Sequence, residues 1–484
     1  MAIKIELLSG PPGGGKSHAM LVEAITTPGR YVFCAPTTAL IDEQIKVVRG
    51  AGVEVYRCDH KSDDRTSVER QLADRQRDLK QRGVSHVVIF ITHATMLATP
   101  ASAFQGWHVR IDEAPDGLKT GRLSLRTEHS RTALTEFFQL DAEGEWAVAK
   151  PKLRSPGWKA VAADHLLGPN AEFFRLAERP YGLFVRTRDW SEKDVDWLSI
   201  WSPSSFAQAA SVHVAAASYE KSLAYRAAKS WFGLQLNKRT INRSKAATQA
   251  CVTVHYFTGG HEGSSTFWAT SRGRRMIKAV CDHLATLPSP IGFWSGNGEV
   301  QKLMEWRVGD KDSLTKPKLA GQNRYDDRTS CALIYSSKPL PGDAILKDLF
   351  ALSDADILAA REDEDIHQFV MRGALRDPTF SGHYSVYLYS KRQAETLAMT
   401  LTSNGYDVAV CGVPEAGIME DGRAERTEPS PRVKMASRVP NARGTGDRLR
   451  KSAQRQKQRQ AKKLRDASQS PPDSTAFAIQ SGEV

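Results

Sequence analysis

Residues 9–20 read SGPPGGGKSHAM, a glycine-rich stretch that contains a lysine followed by a serine. Gly10, Gly15, Lys16 and Ser17 match the spacing G-x-x-x-x-G-K-[ST] of a phosphate-binding loop, or P-loop. A buried strand is expected before this loop and an amphipathic helix after it. In that setting, backbone N–H groups and the helix N-terminus converge on phosphate oxygens. A glycine-rich turn without a ligand is the alternative interpretation.

The lysine and the serine predict a nucleoside triphosphate with Mg²⁺, and we expect ATP as the nucleotide. Lys16 would reach the β- and γ-phosphates, and the Ser17 hydroxyl would bind Mg²⁺. The residues expected to hold the nucleotide are Gly10, Pro11, Pro12, Gly13, Gly14, Gly15, Lys16 and Ser17.

Two adjacent carboxylates follow an apolar run in WHVRIDEAPD, residues 107–116. Asp112 comes at the expected strand end, where a carboxylate can hold the Mg²⁺ of a nucleotide directly or through water. Glu113 beside it can act as the general base that polarises an attacking water. An exposed pair of surface acids is the other interpretation, and the upstream P-loop favours the catalytic one.

Strand patterns alternate with helix patterns along the first 115 residues, which predicts a parallel sheet flanked by helices. In such sheets the ligand lies at the carboxyl ends of the strands. Pro36, Thr37, Thr92, Asp112 and Glu113 are all expected at those ends. We therefore expect them to cluster near the P-loop.

The segment DIHQFVMRGALRDP places Gln368, Arg372 and Arg376 four residues apart. This spacing predicts that the three side chains share one face of one helix. Charge builds on the γ-phosphate oxygens during hydrolysis, and a guanidinium from a second domain can stabilise it. An amphipathic helix with a solvated basic face is the alternative. The acidic stretch before it, residues 354–365, is predicted to be a solvated helix.

Several of these segments resemble the motifs of superfamily 2 helicases of the DEAD/DEAH-box type. IDEAP is similar to the DEAD/DEAH box, APTTALIDEQ to motif Ia, and ITHATML to the Thr/His-bearing motif that follows. The resemblance implies that Thr37, Thr38 and Thr92 contact the nucleic-acid backbone from the first domain. Thr38 stands where the family often has arginine.

The second half of the chain also resembles the family. Residues 264–287 are expected to form a strand, a Thr-Ser turn at Thr270 and a long helix, as in motif IV, and the resemblance implies that Thr270 contacts nucleic acid. Motif VI of the family has Gln, Arg at plus four and Arg at plus seven, whereas here the last arginine falls at plus eight. The resemblance implies that Gln368, Arg372 and Arg376 act at the nucleotide, with either arginine as the finger.

The predicted fold class is α/β: two tandem P-loop-type (RecA-like) parallel-sheet domains, an insertion in the first and a basic disordered tail. The boundaries are residues 1–235 with an insertion at about 117–208, residues 240–412, and residues 413–484. Aromatic and basic residues in the insertion could stack bases or could form the core of a small inserted domain. Ala217-Ser218 could belong to family motif III or to a plain buried strand.

Most of the formal net charge of +12 is concentrated in the tail. Residues 432–466 contain thirteen Lys and Arg against two Asp, a net charge of +11 that suits a polyanion. A solvated tail that only aids solubility is the alternative. No membrane span, secretory signal or CxxC spacing is found, so a cytoplasmic setting is expected.

These observations predict an ATP-dependent helicase or translocase with Mg²⁺, acting on single-stranded DNA or, less favoured, RNA. The resemblance points to compact helicases encoded by bacteriophages and prophages, with a role in DNA replication. One alternative is a phage DNA-packaging or assembly ATPase, and another is a regulator that uses nucleotide as a structural clip. The sequence does not indicate protein partners in replication or recombination.

Overall fold

The computed structural model describes residues 5–59, 67–124, 128–142, 144–165, 167–190, 192, 194–241, 250–308, 312–318 and 324–420. The predicted disordered tail lies outside these residues from residue 421 onward.

The strands are interspersed with helices through both halves of the chain and through the insertion. In chain order they are β1 Ile5–Ser9, β2 Arg30–Ala35, β3 Glu54–Arg57, β4 Val87–Thr92, β5 His108–Asp112, β6 Leu118–Ser124, β7 Phe138–Ala142, β8 Trp146–Pro151, β9 Phe184–Arg186, β10 Asp194–Ile200, β11 Ser211–Ala215, β12 Asn237–Thr240, β13 Cys251–Thr258, β14 Phe293–Gly296, β15 Ser330–Ile334, β16 His383–Ser390 and β17 Asp407–Gly412.

The helices flank the sheets. In chain order they are α1 Lys16–Thr26, α2 Thr38–Gly50, α3 Val68–Gln81, α4 His93–Ala98, α5 Glu128–Phe137, α6 Trp158–Ala163, α7 Ala171–Ala177, α8 Leu223–Phe232, α9 Ser265–Trp268, α10 Ser271–Ala285, α11 Gly298–Arg307, α12 Ala344–Phe350, α13 Asp354–Leu358, α14 Glu364–Val370 and α15 Lys391–Ser403. A π-helical turn, Ala359–Asp363, joins α13 to α14 without a break.

The first domain, which we call lobe 1, is built on a parallel sheet with the order β12-β1-β11-β5-β2-β4-β3. Its central strands β2, β4 and β5 are almost wholly buried, and β2 and β4 are mainly apolar, as is typical of parallel strands covered on both faces. The P-loop follows β1, and Asp112 ends β5. Parallel pairing therefore brings both to the same edge of the sheet, as the sequence predicts.

The second domain, lobe 2, is built on a parallel sheet with the order β14-β15-β16-β13-β17. Residues of α10 and α11 are buried in one core cluster, and residues of α14 and α15 in another, so helices cover both faces. The two parallel sheets confirm the predicted α/β fold class of tandem RecA-like domains.

Two details of lobe 2 differ from the sequence prediction. The prediction of a strand in SSTFW is wrong, because this segment forms the short helix α9. The Ser264 hydroxyl caps the helix by accepting a hydrogen bond from the Phe267 N–H. The acidic stretch 354–365 is helical but not solvated throughout. Glu362 is buried, and it accepts hydrogen bonds from Arg392, Gln393 and the backbone of Ser337.

The insertion in lobe 1 forms its own antiparallel sheet, with the order β6-β10-β9-β8-β7. Phe138, Phe173 and Phe174 pack edge-to-face beneath it with ring centroids 5.0–6.1 Å apart. Trp197 of β10 closes the same buried cluster. These aromatic side chains therefore form the core of a small inserted domain, which was one of the two interpretations of this stretch.

The lobes also contact each other away from the P-loop, along what we call the interlobe seam: residues 344–357 of lobe 2 against helix α8 of lobe 1. Ile345, Leu346 and Ile357 are buried in the same cluster as residues of α8. The ion pair between Arg226 Nη1 and Asp356 Oδ1, 2.7 Å apart, closes one end of the seam. Lobe 2 is thus anchored to lobe 1 by apolar contacts.

Trp231 of α8 joins the insertion to this seam. Its ring contacts Phe350 of lobe 2 at 6.2 Å between centroids, and it contacts Trp146 and Phe184 of the insertion at 6.0 Å and 5.2 Å. Three parts of the chain therefore meet around one indole ring.

Replacing Leu346 with alanine should lower the free energy of unfolding by about 2–5 kcal/mol, because it leaves a cavity in the interlobe seam. Urea denaturation followed by tryptophan fluorescence measures the change. Met399→Ala is the matched control, since that side chain is 67 % exposed and its loss should cost less than about 0.5 kcal/mol. Equal losses in the two variants would show that the seam adds nothing to stability.

Candidate functional site

The P-loop wraps around the start of α1. Gly13 and Gly15 have φ values of 74° and 84°, a region that favours glycine, and the N–H of Gly14 donates to the Pro11 carbonyl at 3.0 Å. Lys16 begins α1 and donates from Nζ to the Gly10 and Pro11 carbonyls at 2.8 Å and 2.7 Å. Burial lowers the pKa of Lys16 to about 8, although Asp112 and Glu113 oppose the shift. The loop thus forms a concave surface with the Lys16 ammonium group at its base.

Asp112 lies directly beside Ser17. The Ser17 hydroxyl donates to Oδ1 of Asp112 at 2.5 Å, and the amide of Gln44 donates from Nε2 to Oδ2 at 2.7 Å. Burial raises the pKa of Asp112 to about 6, and the neighbouring Glu113 charge adds to the shift. Ser17 and Asp112 therefore stand together as the oxygen donors that Mg²⁺ prefers. Among the described residues, no group of three or more His, Cys, Asp or Glu could hold a metal by itself.

Gln44 is one of the cleft residues to which the sequence prediction gave no role. It belongs to α2 and is 3 % exposed. Its neighbours on the buried face of the helix are Ile41 and Val48, at the spacing of an apolar stripe. An amide in that stripe was the available signal, because a buried polar side chain needs a partner.

Glu113 has a left-handed backbone, with φ at 65°, which is uncommon and costly for a residue with a side chain. Its N–H donates to the carbonyl of Ala215 in β11 at 2.8 Å. Its carboxylate oxygen Oε1 lies 3.0 Å from Arg372 Nη2 of lobe 2. The turn thus directs the second acid of the pair toward the facing lobe.

His93, the residue after β4, contacts the backbone of the turn formed by Asp112 and Glu113. Its Nε2 lies 2.9 Å from the carbonyl oxygen of Asp112. Burial lowers the pKa of His93 to about 4, so the ring is neutral at pH 7. This contact ties the end of β4 to the end of β5.

Lobe 2 brings Gln368, Arg372 and Arg376 to the cleft, but they do not share one helix face as predicted. Helix α14 ends at Val370, and Arg376 closes a separate 3-10 turn, Ala374–Arg376. Gly373 lies between them with an extended backbone, and a Cβ at this position would lie 2.1 Å from the Tyr384 hydroxyl. The close approach of Tyr384 therefore diverts the chain out of the helix.

The Ala217-Ser218 segment lies in the loop after β11, at the boundary between the lobes. The Ser218 side chain hydrogen-bonds to Glu364 of α14, whose pKa is raised by burial. Gln368 of the same helix donates to Glu364 Oε1 at 2.8 Å. This loop of lobe 1 thus contacts the helix that carries the predicted glutamine.

One cleft of about 590 Å³ collects these residues from both lobes. Lobe 1 lines it with the P-loop, Gln44, the Asp112-Glu113 pair and the loop after β11. Lobe 2 lines it with Lys318, Glu364, Asp365, Gln368, Met371, Arg372 and Arg376. The volume suits a small molecule of drug or nucleotide size.

The threonines predicted to contact nucleic acid stand at helix starts. Thr37, Thr92 and Thr270 each cap a helix, and each hydroxyl oxygen accepts a backbone N–H, at 3.3 Å, 3.2 Å and 3.1 Å. Thr38 is the first residue of α2. Thr37, Thr38 and Thr92 lie at the carboxyl ends of β2 and β4, on the same sheet edge as Asp112, whereas Thr270 belongs to lobe 2.

Two further properties bear on the setting of the chain. All six cysteines lie among the described residues and are free thiols. In the described part of the chain, every helix is too short or too polar to cross a membrane.

Comparison with known proteins gives only distant likenesses. No protein-family model matches the chain, and no curated protein matches it. Among solved structures, it is similar to an XPD apo structure, with 12 % identity and a TM-score of 0.47 over 84 % of this chain and 97 % of that one. It is also similar to Xpd4 of S. tokodaii, with 11 % identity and a TM-score of 0.46 over 84 % and 96 %. Dbp5 of S. cerevisiae bound to Gle1 and IP6 follows, with 10 % identity and a TM-score of 0.33 over 85 % and 84 %.

Replacing Gly13 with alanine should weaken binding of a fluorescent ATP analogue by about tenfold or more, a loss of roughly 1.4 kcal/mol. The new Cβ would lie 3.0 Å from the Arg376 carbonyl and 3.1 Å from its Cγ, which pushes the two lobes apart at the cleft.

Gly52→Ala is the matched control for this substitution. Gly52 also has a positive φ, of 77°, but nothing lies within 4 Å of its Cβ position. Both variants should lose about 1–2 kcal/mol of stability from backbone strain. Only Gly13→Ala should lose affinity, and equal affinities in the two variants would rule out an interlobe nucleotide site.

Proposed function

We propose that this chain is an ATP-dependent helicase or translocase of superfamily 2, which couples ATP hydrolysis to movement along nucleic acid or to its unwinding. The observation that carries the proposal is the shared cleft, in which Arg372 of lobe 2 lies 3.0 Å from Glu113 of lobe 1. A nucleotide in this cleft would contact both lobes at once. Its hydrolysis could therefore change how they are held together.

In this proposal the P-loop binds the triphosphate. Backbone N–H groups of residues 13–17 and the N-terminus of α1 surround the phosphates, and Lys16 exchanges its two carbonyl contacts for β- and γ-phosphate oxygens. Ser17 and Asp112 would hold Mg²⁺, which when bound neutralises phosphate charge. Gln44 keeps the Asp112 carboxylate oriented by donating to its other oxygen.

Glu113 is the proposed general base and Arg372 the proposed arginine finger. In the ion pair, the guanidinium neutralises the carboxylate and occupies one of its oxygens. When the guanidinium moves to the γ-phosphate, that oxygen is released to accept a proton from the attacking water. Arg376 lies beside Gly13 and would contact the same phosphate from the other side. Gln368, one turn before Arg372, would position it or the water.

The nucleic acid is proposed to cross the carboxyl edges of the two sheets, with Thr37, Thr38 and Thr92 on lobe 1 and Thr270 on lobe 2. Single-stranded DNA is the favoured track, and RNA is the alternative. The basic residues between 432 and 466 would add salt-sensitive, sequence-independent affinity. We further propose a cytoplasmic setting and a phage or prophage origin, for which the motif resemblance is the support.

Purified protein should hydrolyse ATP slowly alone and much faster with one polymer, which then identifies its track. Steady-state phosphate release is measured with no polymer, with single-stranded DNA and with single-stranded RNA, and Lys16→Ala serves as the blank. Hydrolysis without any stimulation would instead favour the packaging or assembly motor. An absence of hydrolysis would favour a nucleotide-clipped binding protein.

Arg372→Ala should reduce the polymer-stimulated kcat by about 10³-fold, because the γ-phosphate charge loses its partner from lobe 2. Arg376→Ala identifies which arginine serves as the finger, and Lys302→Ala, at a side chain that is 73 % exposed, is the surface control. Single-turnover ATP cleavage isolates the chemical step. If both arginine variants retain normal cleavage, the shared-cleft mechanism is wrong.

A further inference from the structure

Gln44 has a buried side-chain amide whose nitrogen has a hydrogen-bond partner, whereas its oxygen has none among the described residues. Its Nε2 donates to Asp112 Oδ2 at 2.7 Å, and its Oε1 is buried and accepts no hydrogen bond from the residues that the structure describes. A buried oxygen without a donor costs about 1–3 kcal/mol. Ile41 and Val48 on the same helix face show that an apolar side chain would suit the stripe. The hydrogen bond to Asp112 explains the amide nitrogen, but no contact among the described residues explains the buried amide oxygen.

The position of Gln44 indicates where the missing donor comes from. The residue lines the cleft between the lobes, together with the P-loop and Asp112. The Asp112 carboxylate has one oxygen on the Ser17 hydroxyl and the other on the Gln44 amide. Gln44 thus holds the Asp112 oxygen that Ser17 does not, and all three residues line the same cleft.

The chemistry of the cation matches what the amide offers. Mg²⁺ dehydrates reluctantly and keeps several water molecules when one or two protein oxygens bind it. Water on a cation directs its hydrogens outward and so requires acceptors around it. Carboxylate ligands of metals are themselves usually held by hydrogen bonds from outside the coordination sphere. A glutamine can meet both needs, since its nitrogen donates to the carboxylate and its oxygen accepts from water.

We propose that Gln44 is a positioning residue for the divalent cation: its Nε2 fixes the Asp112 carboxylate, and its Oε1 accepts a hydrogen bond from the water shell of the cation. This inference rests on the proposed nucleotide site and assigns a role to the last residue of the segment APTTALIDEQ, to which the sequence prediction gave none. Gln44 does not contact the reacting atoms. Its effect is on the affinity for the metal–nucleotide complex.

The test compares nucleotide affinity with and without the cation. A fluorescent ADP analogue is titrated by anisotropy in excess Mg²⁺ and again in EDTA, with the wild-type chain and with Gln44→Met, which keeps the volume and removes both polar atoms. The Mg²⁺-dependent gain in affinity should fall by about 10–100-fold in Gln44→Met. The affinity in EDTA should stay within about twofold of wild type, because the P-loop contacts are unchanged.

Gln393→Met is the matched control for removing a buried amide. Gln393 is 4 % exposed and donates to the buried carboxylate of Glu362 at 2.8 Å, but it does not line the cleft. It should lower the thermal midpoint while leaving the Mg²⁺-dependent gain at the wild-type value. If Gln44→Met does not fold, Gln44→Asn provides the same comparison, since its amide is one methylene too short to reach Asp112.

The outcomes separate this inference from the proposed function. A wild-type Mg²⁺-dependent gain that persists in the Gln44 variant overturns the inference alone, and so does an equal loss in Mg²⁺ and EDTA. A wild-type chain that shows no Mg²⁺-dependent binding overturns both the inference and the proposed site. A selective loss of the gain supports the inference even if no polymer stimulates hydrolysis, in which case only the motor function fails.

Discussion

The carboxylate of Asp112 is the group on which the arrangement of the cleft depends. It is 2 % exposed, and a buried charge of this kind is tolerated only where donors surround it. Ser17 supplies one donor from the first turn of α1 and Gln44 another from the middle of α2, so the P-loop and α2 are both fixed to the end of β5. Parallel strand order makes this possible, because it brings three separate loops to one sheet edge.

The neighbouring Glu113 connects this end of β5 to lobe 2 across the cleft, through its ion pair with Arg372. Its left-handed backbone is strained, and the N–H bond to Ala215 and the ion pair with Arg372 hold it in place. The acid therefore serves two purposes in the proposed cycle: it holds the lobes together before the arginine is needed elsewhere, and it becomes available as a base afterwards. In the proposed cycle, the hydrolysis step itself would couple the two lobes.

The parts of the molecule that the sequence predicted are those set by local rules. The P-loop, the strand that ends at Asp112 and the two parallel sheets follow from residue spacing and from apolar runs. The departure at Gly373 could not be predicted from spacing, because the helix is interrupted by contact with Tyr384, which lies on a strand of another part of lobe 2. A period of four residues is typical of a helix face but carries no information about such a close approach.

Burial of polar groups was hard to predict for the same reason. The apolar stripe of α2 could indicate that Gln44 is buried, but only the tertiary structure shows that Asp112 is its partner and that Arg392 is the partner of Glu362. The interlobe seam is also non-local. Ile345 and Leu346 can be recognised as apolar, but nothing nearby in the chain indicates that they pack against α8 of the other lobe.

If the proposed cycle rotates the lobes about the interlobe seam, the helical run that begins there would carry the rotation to the cleft. Residues 354–370 are helical without a break, with Ile357 buried in the seam at one end and Gln368 in the cleft at the other. At 1.5 Å per residue, this run is roughly 25 Å long. Ile357 and Gln368 lie roughly 16 Å apart along this run, so a rotation of about 10° at the seam would shift Gln368 by roughly 3 Å, which is about the 3.0 Å that separates Arg372 from Glu113. Trp231 contacts both Phe350 at the seam and Trp146 of the insertion, so the same rotation would also shift the insertion's contact with lobe 2.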